Sequence, residues 1–475
     1  MPDHGGIMDL QRFAAELVGA TREYIYIRPE DGLIILRPNR LHYLNETATL
    51  MLDRLYGDPD GPNVERVVAE VADRFGADAR RVRDDLRKLL ISISALLNDQ
   101  VCGAPSVRQT PFGSHRRELP VLSEIAVTYR CQNRCTFCYA DSPERGRDVV
   151  EMTTEEVRTI IDRLFDEAHC PTVSFTGGEP TLRPDLPELV RYAKDKGMRV
   201  NLITNGVICG DAAYIETLAA SGLDSAQVSV EGGCAEVHDA ITRHPGSWER
   251  SVQAVRNLRA AGIHTHTNTT ICGGNRERLM ELVDFIAEDL GSEYFSMNMV
   301  IRTGTALANP QDDVCYTDIG DIIEAVQERA RQRGVRFVWY SPVPYCLFNP
   351  VQAGLGSKSC ACVDGLISVS PSGQLLPCSS FERGIGDLLH RPFQEVWYSR
   401  TARYWRNKEF IPPICQRCEI RDICCGACPL YWDERGDLSE IAGHQAPASA
   451  LAHALWRARR RWLGQVRGVG LDRRA

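Results

Sequence analysis

Three cysteines close together in the chain have the spacing of a metal-cluster site. Cys131, Cys135 and Cys138 follow the pattern C-x3-C-x2-C, directly after an apolar run at 125–127 that predicts a short buried strand. Iron–sulfur clusters select thiolate ligands. Three thiolates would hold a 4Fe–4S cluster and leave its fourth iron open to a small chelating molecule. A zinc site or buried free thiols are the alternatives, although zinc usually closes four ligands drawn from paired C-x2-C elements.

The same stretch, residues 126–140, resembles the signature of the radical S-adenosylmethionine (SAM) enzymes. Phe137 matches the aromatic residue that precedes the third cysteine of that signature, and we expect it among the cofactor-binding residues. The resemblance implies that the open iron holds the amino and carboxylate groups of SAM. It also implies that the reduced cluster cleaves SAM to a 5′-deoxyadenosyl radical, which abstracts a hydrogen atom from a substrate.

Further motifs of this family occur at predicted strand ends downstream of the cysteines. The glycines of the first motif allow the backbone to approach a ligand closely, and its unpaired N–H groups and the Glu179 carboxylate are expected to grip the methionyl ammonium of SAM. By the resemblance, Asn205, Ser229 and Glu231 lie near the ribose and methionyl groups. Arg243 is either a contact of the SAM carboxylate or a helix-surface arginine. The cofactor-binding residues predicted from these motifs are Gly177, Gly178, Glu179, Pro180, Asn205, Ser229, Glu231 and Arg243.

A second group of cysteines lies in an irregular region nearer the C-terminus. Cys415, Cys418, Cys424 and Cys428 are spaced C-x2-C-x5-C-x3-C, and Cys378 ends a G-x4-C element. Together they closely resemble the SPASM domain, which carries two auxiliary iron–sulfur clusters in peptide-modifying radical SAM enzymes; a zinc ribbon is the alternative. The family pattern implies that Cys415, Cys418 and Cys424 belong to one cluster. It assigns Cys378 and Cys428 to the other, with an upstream pair taken from Cys346, Cys360 and Cys362.

The sequence departs from the SPASM pattern at its end. The family has one more cysteine after Gly-Asp-Leu, whereas this chain has Gly436, Asp437 and Leu438 but no later cysteine. His444 lies near the expected place and is a candidate metal ligand, and a histidine ligand would raise the potential of the cluster. Cys425, Asp437 or an open iron are the alternatives.

Alternating strands and helices must position the first set of motifs. Amphipathic helices separate the predicted strands, which is typical of a parallel sheet. The predicted fold class is α/β, with about six units curled into a partial (β/α)6 TIM-type barrel. In such barrels chemistry lies at the C-terminal ends of the strands. After the strand that leads into the cysteines, the strands are predicted at 172–175, 199–204, 225–230, 264–271 and 293–300.

The first 105 residues predict a separate α+β domain. Three short strands precede three apolar-periodic helices, which indicates a winged-helix-like arrangement. The segments 43–48, 67–72 and 82–86 resemble the pyrroloquinoline quinone biosynthesis D-type proteins, also called peptide recognition elements. The resemblance implies that this domain binds the leader of a precursor peptide as an added strand. A packing or dimerisation domain is the alternative.

Composition and charge limit the partners of the chain. The 475 residues carry a net charge of −8, which does not favour nucleic acid, and no apolar run is long enough to span a membrane. Since the N-terminus lacks signal-peptide features, we expect a cytoplasmic protein whose 18 cysteines serve as metal ligands rather than as disulfides.

Basic residues after position 456 predict a solvated helix. The predicted domains are 1–105 (peptide recognition), 106–120 (linker), 121–340 (barrel), 341–446 (auxiliary clusters) and 447–475 (basic C-terminal helix and tail).

These predictions combine into an enzyme that oxidatively modifies a ribosomally made precursor peptide through a carbon–carbon or thioether cross-link. Its cofactors would be a SAM-binding 4Fe–4S cluster, SAM and one or two auxiliary iron–sulfur clusters, with a flavodoxin or ferredoxin as reductant. The cofactors carry the chemistry and the protein supplies orientation, and no acid or base residue is indicated. Two alternatives stay open. One is a maturase that oxidises a residue of a protein partner, similar to the sulfatase or dehydrogenase maturases, and the other is a non-catalytic iron–sulfur peptide carrier.

Overall fold

The computed structural model describes residues 9–36, 40–98, 107–109, 118–148, 150–444 and 448–463. The chain divides into two compact units, Met1–Phe112 and Gly113–Ala475. Most of the predicted linker and the tail after residue 463 lie outside the described residues. The five-part domain division stays a prediction.

The first unit contains a small antiparallel sheet and four helices among its described residues. In chain order its elements are α1 (Leu10–Thr21), β1 (Ile25–Arg28), β2 (Leu33–Leu36), β3 (Arg40–Leu44), α2 (Glu46–Gly57), α3 (Val64–Phe75), α4 (Ala79–Leu97) and β4 (Val107–Gln109). The strand order is β1-β2-β3-β4. β4 falls inside the segment predicted to be a linker. It pairs with β3, and the Val107 side chain is buried in the core of this unit.

Polar side chains set where the helices of the first unit begin. The Asn45 side chain accepts a hydrogen bond from the Ala48 N–H at 2.8 Å at the start of α2, and Asp78 accepts from the Arg81 N–H at 3.1 Å at the start of α4. Such caps satisfy N–H groups that have no partner inside the helix. Gly76 ends α3 in the left-handed region, with φ of 60°. The apolar faces of these helices then form one core with the sheet.

The second unit alternates strands and helices over most of its length. Its elements in chain order are β5 (Leu122–Thr128), α5 (Ser142–Asp148), α6 (Thr154–Asp162), β6 (Thr172–Gly177), α7 (Leu186–Asp195), β7 (Arg199–Thr204), α8 (Ala212–Ala220), β8 (Ser225–Ser229), α9 (Ala235–Thr242), α10 (Ser247–Ala260), β9 (His264–Ile271), α11 (Leu279–Glu288), β10 (Tyr294–Met299), α12 (Tyr316–Arg333), β11 (Arg336–Trp339), β12 (Leu366–Val369), β13 (Gln374–Leu376), β14 (Gly386–Asp387), α13 (Phe393–Trp397), α14 (Arg400–Arg406), α15 (Arg421–Cys424), α16 (Pro429–Arg435), α17 (Ser439–Ala442) and α18 (Ala450–Leu463). A π-helical turn, Arg163–Glu167, follows α6 directly.

The strands of the second unit form one large sheet that is mostly parallel. Its order is β11-β10-β9-β8-β7-β6-β5-β12-β13-β14, and neighbouring strands from β11 through β12 pair in parallel. The predicted α/β class with a parallel sheet is therefore confirmed. Because the strands point the same way, the ends of β5, β6, β7 and β8 lie at one edge of the sheet. The motifs that follow these strands are gathered there.

The sheet continues from the barrel into the cysteine-rich region. β12 pairs in parallel with β5, and β13 and β14 extend the sheet in antiparallel fashion. β5 therefore has a hydrogen-bonded neighbour on both sides, β6 and β12. An edge strand would carry unpaired backbone groups, so this arrangement fixes the strand that leads into the cysteine loop.

One face of α18 packs on the rest of its unit. Trp456 Nε1–H donates to the Phe410 carbonyl at 2.9 Å. Arg460 is only 2 % exposed, donates to the Pro429 carbonyl at 3.2 Å and forms an ion pair with Asp433. Arg457, Arg459 and Arg461 are exposed, as predicted for a solvated helix, whereas Arg460 departs from the prediction because its buried guanidinium is paired with the Asp433 carboxylate. None of the helices in the described ranges is long and apolar enough to cross a membrane.

Candidate metal centres

The loop that carries the first three cysteines follows β5, and its three thiols lie near one another. Cys131, Cys135 and Cys138 are partly buried. The pKa of the Cys131 thiol is raised to about 12, by burial, by the Glu179 carboxylate and by Cys138, and that of Cys135 is raised well above its usual range by burial and by the neighbouring thiols. Positive charge next to a buried thiol has the opposite effect and favours the thiolate. The three sulfurs therefore fit a site that binds a cationic metal cluster.

The C-terminal end of α9 holds the middle of this loop. The Arg134 N–H donates to the Thr242 carbonyl at 2.9 Å, and the Thr136 N–H donates to the Ile241 carbonyl at 3.0 Å. Carbonyls in the last turn of a helix have no partner within the helix and are free to accept such bonds. The helix end therefore fixes the backbone on both sides of Cys135.

A short segment after β10, residues 304–309, supports the same loop and was not predicted. Thr305 donates its N–H to the Cys138 carbonyl at 3.0 Å and its hydroxyl to the Cys135 carbonyl at 2.8 Å. Asn309 donates through Nδ2 to the Thr136 carbonyl at 3.0 Å. At Gly304, where φ is 54°, a Cβ atom would lie 2.2 Å from the Cys138 carbonyl oxygen. The available signal was the position of this segment after a barrel strand, where sites of this fold lie.

The glycines of the motif 177–180 pack on the cysteine loop. A Cβ atom at Gly177 would lie 2.0 Å from the Thr128 carbonyl oxygen, and one at Gly178 would lie 2.4 Å from the Arg130 carbonyl oxygen. The Gly178 N–H donates to Thr128 at 2.8 Å, and the Glu179 N–H donates to Arg130 at 2.9 Å. The expectation of unpaired N–H groups was wrong for these two residues. The motif joins the end of β6 to the cysteine loop, and Pro180 then begins a 3-10 turn.

The Glu179 side chain is fully buried and has four hydrogen bonds within the protein. Its carboxylate accepts from the Thr181 N–H and hydroxyl at 3.1 and 2.6 Å, from the Thr204 hydroxyl at 2.8 Å and from the Asn205 N–H at 2.7 Å. Burial raises the pKa of the Glu179 carboxyl, and these hydrogen bonds offset only part of that increase. The carboxylate joins the end of β6 to the end of β7. Its contact with the ammonium group of SAM stays a prediction.

Asn205 lies against the first cysteine of the loop. Its Nδ2 atom donates to Cys131 Sγ at 3.6 Å, while Oδ1 accepts from Gln132 Nε2 at 3.1 Å and from the Val207 N–H at 3.0 Å. A hydrogen bond to a ligand sulfur stabilises the thiolate form and influences the potential of a cluster. Asn205 is therefore placed to act on the metal ligand, whereas its predicted contact with SAM is not tested.

The remaining predicted cofactor contacts surround the same edge of the sheet. Glu231 is 3 % exposed, accepts from the Thr270 N–H at 2.8 Å, and has a pKa raised to about 8 by burial. Ser229 ends β8 and is partly buried, as is Phe137. Arg243 is exposed, follows α9 in the left-handed region and donates to Asn309 Oδ1 at 2.8 Å. Both readings of Arg243 stay open, and the contacts of all four residues with SAM stay predictions.

In the C-terminal region, four cysteines from three separate segments form what we call the first quartet: Cys360, Cys362, Cys378 and Cys428. Cys362 hydrogen bonds with Cys360 and with Cys378, and a thiolate at Cys360 or Cys378 raises the pKa of Cys428. The hydrogen bond from Cys362 lowers the pKa of Cys360. Among the three candidates for the upstream pair, the structure brings Cys360 and Cys362 to this group.

A buried ion pair lies beside the first quartet. Lys408 Nζ donates to the Cys360 carbonyl at 2.6 Å and lies 3.3 Å from Asp364 Oδ2. The two side chains are 7 % and 1 % exposed. The charge of Lys408 lowers the pKa of Cys360. This quartet therefore lies in a charged as well as a buried environment.

A second quartet consists of Cys346, Cys415, Cys418 and Cys424, which line one cavity. Burial raises the pKa of Cys415 to about 12, with further contributions from the other three sulfurs. The structure places Cys346 here, beside Cys415 and Cys424, and its role as a metal ligand stays a prediction. His444 is exposed and does not line the cavity. In the described ranges no three His, Cys, Asp or Glu side chains surround a position suited to a single metal ion.

Comparison with known proteins assigns a family to each of these regions. Residues 125–286 match the Radical SAM superfamily, residues 32–95 match Coenzyme PQQ synthesis protein D (PqqD), and residues 360–419 match the iron-sulfur cluster-binding domain SPASM. The chain is a radical SAM enzyme that carries SPASM and PqqD-type domains and resembles peptide-modifying maturases. Its cofactors are SAM, the SAM-binding 4Fe–4S cluster and auxiliary iron–sulfur clusters.

Curated relatives carry two different names. The chain is 28 % identical to an AdoMet-dependent heme synthase of Methanosarcina barkeri, over 68 % of this chain and 95 % of the relative. It is 29 % identical to a PqqA peptide cyclase of Granulibacter bethesdensis, over 64 % of this chain and 80 % of the relative. Among solved structures, SuiB of Streptococcus suis bound to the precursor peptide SuiA has a TM-score of 0.64 at 17 % identity and covers 86 % of this chain and 95 % of SuiB. That likeness shows a common fold.

Proposed function

We propose that this protein is a maturase that oxidatively modifies a ribosomally synthesised precursor peptide, forming a carbon–carbon or thioether cross-link. The observation that carries the proposal is the combination of a PqqD match at residues 32–95 with the cysteine loop and two cysteine quartets in the same chain. The names PqqA peptide cyclase and SuiB bound to precursor peptide support it. Both kinds of cross-link require the substrate to lose hydrogen and an electron. Several iron–sulfur clusters in the same chain would provide an acceptor for that electron.

The first unit is the proposed leader-binding part. Among the described residues, β1 and β4 form the two edges of its antiparallel sheet. An extended peptide binds such an edge as an added strand through main-chain hydrogen bonds, and side-chain pockets supply specificity. We assign residues 1–105 to a winged-helix-like recognition domain on this basis. β4 covers the outer side of β3, so binding at β3 itself would require β4 to leave.

In the second unit, the chain orients the cofactors and the substrate. When bound, SAM and the reduced cluster supply the radical that removes a hydrogen atom. Cys131, Cys135 and Cys138 would hold this cluster, while Asn205 donates to one of the three sulfurs. The two quartets would hold the auxiliary clusters, which offer an acceptor for the electron that the substrate loses. We place the protein in the cytoplasm, with a flavodoxin or ferredoxin as its reductant.

The test uses the full chain, reconstituted with iron and sulfide under anaerobic conditions and incubated with SAM, dithionite and the short peptide encoded beside its gene. We expect 5′-deoxyadenosine and a peptide that has lost two hydrogen atoms for each cross-link, with fragmentation by mass spectrometry locating the bond. A leader-deleted peptide should react much more slowly. Formation of 5′-deoxyadenosine without any change in the peptide would overturn the proposed substrate, though not the radical SAM assignment.

The heme synthase relatives favour a second candidate, radical chemistry that yields heme. Peptide modification and heme formation differ in the role of the first unit, which binds a leader only in the former. Deleting residues 1–105 should abolish peptide modification if the unit binds a leader, and should leave SAM cleavage intact. Conversion of a heme precursor by the full chain, with no reaction of the peptide, would select the second candidate.

A further inference from the structure

The second quartet has a ligand that the sequence pattern does not supply. Cys415, Cys418 and Cys424 lie close together in the chain, and the last cysteine of the whole sequence is Cys428. Cys428 belongs to the first quartet. The fourth cysteine that lines the cavity of the second quartet is Cys346, which lies outside the SPASM match at 360–419.

Cys346 reaches the second quartet from the segment that follows β11. The Tyr345 N–H donates to Cys424 Sγ at 3.4 Å, so the residue next to Cys346 forms a hydrogen bond with a cysteine of the quartet. The Leu347 and Phe348 N–H groups donate to the Pro344 carbonyl at 2.9 and 3.0 Å, which closes a turn around Cys346. The Tyr345 hydroxyl accepts from the Lys358 N–H at 2.7 Å and fixes this turn from its other side.

The walls of the cavity suit a cluster held by thiolates. Besides the four cysteines, the cavity is lined by Pro344, Ile420, Arg421, Gly426 and Ile441. Apolar walls exclude water, and a cluster there would depend on its sulfur ligands and on hydrogen bonds such as that from Tyr345.

The other candidate ligands have different places in the structure. His444 is exposed, and Asp437 is exposed with its carboxylate accepting from the Ser439 N–H and hydroxyl at 3.0 and 2.8 Å. Cys425 donates through Sγ to the Asp422 carbonyl at 3.5 Å. None of these three residues lines the cavity.

We propose that Cys346 is the fourth thiolate ligand of the auxiliary cluster held by Cys415, Cys418 and Cys424. All four irons of that cluster then have a cysteine ligand, and none is open to a substrate. The cluster transfers electrons and does not bind the peptide. This assignment rests on the auxiliary clusters and not on the identity of the substrate, so it is tested without any peptide.

The experiment compares three full-length variants after anaerobic reconstitution: Cys346→Ala, Cys425→Ser and His444→Ala. Iron content is counted, and the reduced clusters are examined by EPR. We expect Cys346→Ala to lose about one to four irons per chain, as a cluster of up to four irons loses one iron or is not retained. The other two variants should keep the iron content and the EPR spectrum of the unchanged protein. Full iron and an unchanged spectrum in Cys346→Ala would overturn the assignment.

A measurement that leaves Cys346 in place covers the case in which Cys346→Ala does not fold. Pulsed EPR detects nitrogen bound to a cluster. The variant Cys131→Ala, Cys135→Ala, Cys138→Ala removes the SAM-binding cluster and leaves the auxiliary ones for this measurement. We expect no strongly coupled ligand nitrogen. A nitrogen coupling that disappears in His444→Ala would show that His444, and not Cys346, is the fourth ligand. An effect of added cyanide on the spectrum would show that one iron is open instead. Either result overturns the proposal whether or not the peptide chemistry is correct.

Discussion

The cysteine loop of the barrel and the two quartets differ in how the chain assembles them. The loop gathers three cysteines within eight residues, and its neighbours supply backbone hydrogen bonds and one side-chain hydrogen bond, from Asn205 to Cys131 Sγ. Each quartet combines cysteines that are more than sixty residues apart in sequence. Three local ligands would leave a position open for SAM, whereas four ligands from separate segments would close the coordination of a cluster. In the proposed assignment, the number of segments that converge therefore distinguishes the SAM-binding site from the electron-transfer sites.

The two quartets differ from each other in their surroundings. A buried Lys408–Asp364 pair lies next to the first quartet, while the second lines a cavity with mostly apolar walls. The potential of a cluster depends on the charges, the hydrogen bonds and the solvent exposure around it. We therefore expect two auxiliary clusters with different potentials. Four predictions follow from the two comparisons, from the largest effect to the smallest.

Removing one ligand of the loop should abolish SAM cleavage, whereas removing one ligand of a quartet should not. Cys135→Ala leaves two thiolates for the SAM-binding cluster, so 5′-deoxyadenosine formation should fall to background while auxiliary iron stays. Cys415→Ala should lose auxiliary iron and still cleave SAM. Both are followed by chromatography of 5′-deoxyadenosine together with an iron count. Cys170→Ala, at a fully buried cysteine of the barrel core, is the control. Normal cleavage by Cys135→Ala would contradict the assignment of the loop.

Lys408→Met should lower the free energy of unfolding by about 3–5 kcal/mol, because it leaves the Asp364 carboxylate buried without its cation. Arg391→Met is the matched control, since its exposed ion pair with Glu395 contributes less than about 1 kcal/mol. Chemical denaturation followed by circular dichroism measures both. Adding Asp364→Asn to Lys408→Met should recover part of the loss. Equal effects of the two single variants would contradict a buried ion pair beside the first quartet.

Gly304→Ala should destabilise the cysteine loop by about 2–4 kcal/mol. The new methyl group adds steric strain at positive φ and meets the Cys138 carbonyl oxygen at 2.2 Å. Gly354→Ala measures the strain at positive φ alone, because φ there is 74° and no atom lies within 4 Å of the added Cβ. The measurement is the denaturation midpoint together with iron retention at the SAM-binding cluster. If the two variants behave alike, the close approach of the segment 304–309 to the loop is not correct.

Thr305→Val should cost about 1 kcal/mol, because it removes one neutral hydrogen bond, 2.8 Å long, to the Cys135 carbonyl. Thr305→Ser keeps the hydroxyl and is the control. The expected result is a small shift in the denaturation midpoint and faster loss of iron to a chelator from the SAM-binding cluster alone. Iron loss from the auxiliary clusters at the same increased rate would show a general loss of stability instead of a local one.

Much of the barrel could be predicted from sequence, since it depends on local patterns. The alternation of apolar strands and amphipathic helices indicated the parallel sheet, and the strand predicted at 264–271 coincides with β9. The continuation of the sheet through β12 could not be predicted in this way. It depends on a pairing between β5 and a strand more than two hundred residues later, and no local pattern encodes such a partner.

The sequence by itself determined which residues can bind metal and which motifs follow which strands, because residue type and short spacing are properties of the chain alone. The tertiary structure decided how the cysteines are grouped: it separated Cys346 from Cys360 and Cys362 and placed His444 at the surface. It also packed the glycines at 177–178 against the cysteine loop, while their contacts with SAM stay predictions. The physical reason is that ligands from distant segments meet only after the sheet and its loops have packed.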